Sequence, residues 1–198
     1  MNKSITMIAL AGIAFSASAQ DFSLSIAGPT SISEGAVFTV DVFGDANVGT
    51  HMLGGGFSLV ATGGGILIQD ISWVPSQWSA FNTDNGYGGN GNHNGVIFGQ
   101  LVIFGIPGFD VPAAGSDLGN RIGSFQITLE PQGFGQLDMT LVAADPFALQ
   151  TISIANGETF SSADGNLTLN GISVIVYPTP SSLALLGLGG LAAGRRRR

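Results

Sequence analysis

Val37-Phe38-Thr39-Val40-Asp41-Val42 sets the character of the chain. Phe38, Val40 and Val42 fall on one side of an extended backbone and Thr39 and Asp41 on the other, the period-two pattern of a strand with one dry face. Working outward, Phe125, Ile127 and Leu129 alternate with Gln126, Thr128 and Glu130, and Leu137, Met139 and Leu141 alternate around Asp138 and Thr140. Leu167 and Leu169 stand between Asn166, Thr168 and Asn170, and Ile172, Val174 and Val176 form a last strand. No stretch of the body keeps a helical period, and no repeat recurs at a fixed spacing. The 31 glycines among 198 residues are roughly twice the usual share and supply turns. About nine short strands with Gly-rich connections predict an all-β fold, an antiparallel β-sandwich.

Two segments break the pattern. Ile66 to Trp73 mixes faces, and Val96 to Phe104 is almost wholly apolar apart from Gly99 and Gln100. The second reads as a central strand covered on both sides or as a strand bulged at Gly99. Residues 75–94 and 105–120 carry no strand pattern, so two long loops are expected there. Loops of that length inside a compact domain commonly carry function.

The two ends read as addresses. Lys3, an apolar run over residues 5–15, and Ala17-Ser18-Ala19 before Gln20 have the order of a secretory signal peptide cleaved between Ala19 and Gln20. At the other end, Pro178, Thr179 and Pro180 interrupt the last strand. An apolar run over residues 183–193 follows, and then Arg195, Arg196, Arg197 and Arg198. Four adjacent cations resist crossing a bilayer and hold that end in the cytoplasm. The expected organisation is a signal segment (1–19), a body (20–177) and a tail (178–198).

Removing the ends changes the charge. The body holds all 13 acidic residues and one cation, Arg121, a formal charge of −12. Such a surface repels phosphate backbones, which excludes nucleic acid as a partner. The chain has no cysteine, so an exported fold stands on packing without disulfides.

Candidate sites are few. Gly86-Tyr87-Gly88-Gly89-Asn90-Gly91 fits a dinucleotide fingerprint in letters only, because no helix follows to meet a pyrophosphate. Asn82, Asp84, Asp110 and Asp117 are oxygen donors that suit calcium, yet His93 stands where a calcium loop needs a bidentate Glu. The same residues equally serve as turn formers bonding their own backbone. His51 and His93 read as loop residues outside any metal-ligand cluster. Trp73, Trp78, Phe81 and Tyr87 concentrate the body's large aromatics; exposed rings, with Trp78, Phe81 and Tyr87 as candidates, stack on sugar faces, and in the alternative Trp73 and Phe81 anchor the long loop to the sandwich core. Catalysis is not expected. The body lacks cysteine and lysine, Ser116 in Gly115-Ser116-Asp117-Leu118-Gly119 is misplaced for a nucleophile elbow, and Asp41 with Asp45 is an acidic pair of unknown separation.

The tail resembles the PEP-CTERM sorting signal, through Pro178-Thr179-Pro180, the apolar residues that follow Ser181-Ser182, and the terminal arginines. Thr179 stands where that family has its namesake Glu, and the apolar run is short. The resemblance implies export, transient inner-membrane retention, processing by an exosortase-type protease, and delivery to the cell surface or a polysaccharide matrix. The body resembles cohesin-like and carbohydrate-binding β-sandwiches, an Ig-like jelly roll. The matching stretches are Ile32-Ser33-Glu34-Gly35-Ala36-Val37-Phe38-Thr39-Val40-Asp41-Val42 and Leu118-Gly119-Asn120-Arg121-Ile122-Gly123-Ser124-Phe125-Gln126-Ile127. The whole then reads as a sandwich flanked by a signal helix and a C-terminal hydrophobic helix. The leading expectation is a non-enzymatic surface or matrix protein without a cofactor. A module binding polysaccharide or a protein is second, and a carboxylate hydrolase third. Exposure of Trp78 and Tyr87 separates the first two.

Overall fold

A computed structural model describes residues 20–179. The signal segment and everything from Pro180 onward lie outside the described residues, so neither expected flanking helix is part of this description. Within the described residues there is no helix, hence none long and apolar enough to cross a membrane.

Fourteen strands build the body, more than the nine expected. They are β1 (Asp21–Ala27), β2 (Ser31–Ser33), β3 (Val37–Ala46), β4 (His51–Thr62), β5 (Ile68–Pro75), β6 (Phe81–Asp84) and β7 (Tyr87–Gly89). Then follow β8 (Asn92–Gly99), β9 (Arg121–Leu129), β10 (Gly135–Ala143), β11 (Gln150–Ile152), β12 (Thr159–Ser161), β13 (Asn166–Asn170) and β14 (Ile172–Tyr177). One sheet runs β13-β1-β3-β9-β5. The other runs β12-β11-β4-β10-β14-β2, with β8 on the free edge of β4 and both β6 and β7 on the outer edge of β8. The sandwich is not wholly antiparallel, because β1 pairs with β13 and β14 with β2 in parallel. Those pairs arise where the chain changes sheets at Gly171, which lies so close to the Met139 carbonyl that a Cβ would collide with it.

The alternation seen in sequence is what the two sheets bury. Phe38, Val40 and Val42 of β3, Phe125, Ile127 and Leu129 of β9, and Leu137, Met139 and Leu141 of β10 all face the core. Each such side chain removed from water contributes about 1.5–3 kcal/mol. Phe57 of β4 sits at the centre, its ring 5.4 Å from Trp73, 5.8 Å from Phe98 and 6.0 Å from Phe125. The Trp73 and Phe125 contacts are edge-to-face, the arrangement the aromatic quadrupole favours.

Residues 75–94 are not one long loop. They hold β6, β7 and the first residues of β8. All four residues of β6 are exposed, so the strand has no apolar alternation; its register comes from β8, with Phe81 opposite Gly99 and Asp84 opposite Val96. The apolar stretch after Val96 also differs from expectation. β8 ends at Gly99, and its irregularity lies at Asn94 and Gly95, across from Ser58, where the pairing steps from Phe57↔Val96 to Leu59↔His93. Leu101, Ile103 and Phe104 leave the sheet and face solvent.

Candidate functional site

A cleft of about 390 Å³ opens on the second sheet, bordered by exposed apolar side chains. Its floor is Gly54 and Gly55 of β4, and its walls come from Phe81 of β6, Leu101 and Val102 after β8, and Phe147 between β10 and β11. Glycine is required in the floor by close approach. A Cβ on Gly54 would stand 2.5 Å from the Phe98 carbonyl oxygen, one on Gly55 2.6 Å from the Leu149 side chain, and one on Gly56 2.9 Å from the Phe147 Cβ. The turn bearing Phe147 is therefore laid directly on β4. Gly56 N–H donates to the Phe147 carbonyl at 2.8 Å, and Ala144 N–H to the Gly56 carbonyl at 3.2 Å.

The second wall is an ordered loop. Gln100 donates its side-chain N–H to the Met52 carbonyl at 2.8 Å, and its Oε1 accepts the Ala113 N–H at 2.7 Å. Between these ties the chain closes on itself, with Ile103 N–H donating to the Phe109 carbonyl at 2.7 Å and Phe109 N–H to the Ile106 carbonyl at 3.0 Å. Gly105 and Gly108 take the positive φ that closure needs, 83° and 88°. This backbone holds Leu101, Ile103, Phe104, Ile106, Phe109 and Val111 outward. Of the exposed apolar side chains, Phe81, Leu101 and Phe147 line the cleft itself, and Ile103, Phe104, Ile106, Phe109 and Val111 follow on the loop that leaves it. Such a surface marks an interaction site.

The aromatic residues singled out in sequence separate. Trp78 is 7% exposed and belongs to the core, with its ring 5.9 Å from Phe98. Tyr87 is half-buried; its hydroxyl donates to the Ile68 carbonyl at 2.9 Å and accepts the Gly91 N–H at 3.1 Å. Of the three only Phe81, 58% exposed, faces solvent, so of the two expected core anchors Trp73 is buried and Phe81 is not. Trp78, Phe81 and Tyr87 therefore do not form an aligned exposed row. Sequence left the choice between stacking and anchoring open for Trp78 and Tyr87, because the partners that decide it, Arg121, Phe98 and Ile68, are distant in sequence.

The oxygen-rich residues also go separate ways. Asn82 uses both ends of its amide on Ser79, accepting from the hydroxyl and donating to the carbonyl at 2.8 Å each. Asp84 accepts the Gly86 N–H at 2.7 Å and lies 3.0 Å from His93 Nε2. Asp117 lies 3.6 Å from His51 Nε2, and Asp110 sits in the loop between β8 and β9. No group of three or more His, Cys, Asp or Glu side chains that could hold a metal ion forms among the described residues. Asp41 is bound to Arg121 at 3.2 Å and to Ser124 at 2.7 Å, separate from Asp45.

Neither histidine is a loop residue. His51 opens β4, where its Nδ1 lies 3.0 Å from Ser116 Oγ and its Nε2 faces Asp117. The three form a Ser-His-Asp constellation that sequence reading missed, since 65 residues separate His51 from Ser116. Ser116 is buried, and its hydroxyl lies 2.7 Å from the Ala113 carbonyl, an acceptor that competes with His51 Nδ1 for the serine proton. His93 is fully buried on β8 against the Phe125 ring, 5.0 Å away. Its approach to Asp84 lacks hydrogen-bond geometry. Burial pushes the His93 imidazole below its ordinary value, and Asp84 and Asp70 oppose the shift without cancelling it.

No family model matches the chain. No curated protein matches its sequence. Solved structures do. The seventh ScaB type I cohesin of Pseudobacteroides cellulosolvens superposes with a TM-score of 0.51 at 12% identity, covering 81% of this chain and 94% of that one. A type I cohesin–dockerin complex from Clostridium thermocellum, containing the OlpA cohesin, gives a TM-score of 0.52 at 12% identity over 79% of this chain and 99% of that one. Identity this low carries the fold alone, and the body of this protein is a cohesin-like β-sandwich.

Proposed function

We propose that this chain is an exported, non-catalytic protein-binding module whose contact surface is the cleft bounded by Phe81, Leu101 and Phe147. The observation that carries this reading is the ordered, uncovered apolar surface on a body of charge −12. The partner is a protein segment with an apolar face bordered by basic residues. Asp84, Asp110 and Asp145 lie on the three segments that wall the cleft, and the body's single cation, Arg121, is engaged with Asp41. Charge complementarity of this kind speeds encounter and selects partners, while the apolar centre supplies affinity. The Clostridium thermocellum cohesin was solved bound to a dockerin, and that use of the same sandwich supports a protein ligand over a sugar. The cleft is lined by no carboxylate, which gives a hydrolase no support there.

The sorting reading remains part of the proposal. Residues 1–19 direct export, and the tail gives transient inner-membrane association, exosortase-type processing and release to the cell surface or an extracellular polysaccharide matrix. Its support is the order Pro178-Thr179-Pro180, apolar run, four arginines. Intact-mass measurement of protein from surface fractions tests it; mature chains still carrying Arg195 to Arg198 would contradict it.

Binding is tested by calorimetric titration with two synthetic amphipathic helices, one of leucine and lysine and one of leucine and glutamate. The basic helix binds and the acidic one does not, and Phe147→Asp weakens binding by at least about tenfold, the scale of a central interface contact. Equal binding of both helices, or binding untouched by Phe147→Asp, contradicts the proposal.

A further inference from the structure

The C-terminal end of the body is held by a contact that strand pairing does not supply. β14 ends at Tyr177, whose carbonyl accepts the Glu34 N–H at 2.8 Å, closing the parallel pair in which Ile175, Val176 and Tyr177 face Ser31, Ile32 and Ser33. Two residues further on, the backbone N–H and the hydroxyl of Thr179 both donate to Glu34 Oε1, each at 3.0 Å. Glu34 is only 6% exposed. It sits in the turn from β2 to β3, and the Gly35 that follows takes a φ of 71° and donates its N–H to the Glu130 carbonyl at 3.0 Å. The carboxylate is thus aimed by backbone on both sides.

A buried carboxylate is costly unless donors converge on it, and hydrogen bonds to a charged acceptor are roughly twice as strong as neutral ones. The tripeptide it meets has one backbone donor. Pro178 and Pro180 carry no N–H, so Thr179 alone in Pro178-Thr179-Pro180 can give both an amide and a hydroxyl. We propose that Glu34 is a binding residue for the chain's own tail: it locks Thr179 to the body, so that proteolytic removal of the C-terminal segment occurs after Thr179. Tyr177, Pro178 and Thr179 then stay with the mature domain. The inference rests on the reading of the tail as removable. Removal is hydrolysis of one peptide bond, water adding across C–N to leave a carboxylate on the body and an amine on the released segment. A protease needs several residues drawn away from the fold, and bonds before Thr179 reach it only when the clamp opens.

The test uses the full chain, with amide hydrogen exchange at Thr179 and the limit fragment left by a broad-specificity protease, read by intact mass. In the wild type the Thr179 amide is protected and the fragment ends at or beyond Thr179. Glu34→Ala raises exchange at Thr179 about tenfold or more, as expected for loss of a charged acceptor, and moves the fragment end upstream of Pro178. Thr179→Val keeps the backbone donor, removes the hydroxyl donor and shifts both readouts in the same direction while core amides stay protected. A wild-type fragment ending between Tyr177 and Thr179, or variants that exchange and digest like the wild type, overturns the proposal. Cellular protein that keeps Arg195 to Arg198 would instead refute the removable tail, and would leave the exchange and digestion results to decide the clamp.

Discussion

Trp78 donates its indole N–H to the backbone carbonyl of Arg121 at 3.2 Å, and the Ser76 hydroxyl donates to the same oxygen at 2.7 Å. These two bonds fasten the turn after β5 to the first residue of β9. The ring then closes one end of the sandwich against Phe98. Trp78 works as a peg that holds the edge of the cleft region to the core.

Replacing it therefore costs stability. Trp78→Ala should lower the unfolding free energy by about 3–5 kcal/mol, the usual range for a buried tryptophan. Urea denaturation checks this. A loss under about 1 kcal/mol, the range of surface changes, would place the ring outside the core.

The glycine floor is equally exacting. Gly55→Ala puts a methyl group 2.6 Å from the Leu149 Cδ2 and 2.9 Å from its Cα. Overpacking of this kind costs about 1–3 kcal/mol. The same change should displace the turn carrying Phe147 and weaken binding of the leucine–lysine helix. A variant with unchanged melting and unchanged binding would show that the turn is not seated on β4.

His93 makes stability depend on pH. Its folded-state value is lowered chiefly by burial, with Asp84 and Asp70 acting in the opposite direction. In that window the unfolded chain binds a proton that the folded chain refuses, so stability is full above the ordinary histidine value and falls as pH drops below about 6.5. His93→Gln should flatten that slope in thermal melts between mildly acidic and neutral pH. A slope unaltered by the substitution would assign the dependence to other groups.

How much of this was legible follows from what each residue answers to. Phe38, Val40, Val42, Phe125 and Met139 report their burial through alternation, because a half-buried strand writes its two faces into alternate letters. Phe81 to Asp84 write nothing, being an exposed strand placed by its partner β8. The cleft was illegible for a related reason. Leu101, Ile103 and Phe104 read as the continuation of a buried strand, and only the Gln100 ties to Met52 and Ala113 reveal that the chain turns outward there. Glu34 resembled any polar turn residue until its distant partner Thr179, 145 positions on, was in place.

Calcium should matter little. Asn82, Asp84 and Asp117 are engaged with Ser79, with Gly86 and His93, and with His51, and no three His, Cys, Asp or Glu side chains gather among the described residues. A cation binding only the folded state raises stability in proportion to its affinity. Thermal melts in millimolar calcium and in chelator are expected to coincide. A clear rise in melting temperature with calcium would show a site that these side chains alone do not form.

The account's central claim is that a protein ligand docks on the apolar cleft, and the position of a bound ligand tests it most directly. Backbone amide shifts of the isotope-labelled protein, followed as the leucine–lysine helix is added, should move at Gly54, Gly55, Phe81, Leu101, Val102 and Phe147. Those of β13 and β1 on the opposite sheet should stay still. Shifts confined to the first sheet or to the Gln77–Trp78 turn, or no shifts at all, would contradict the claim.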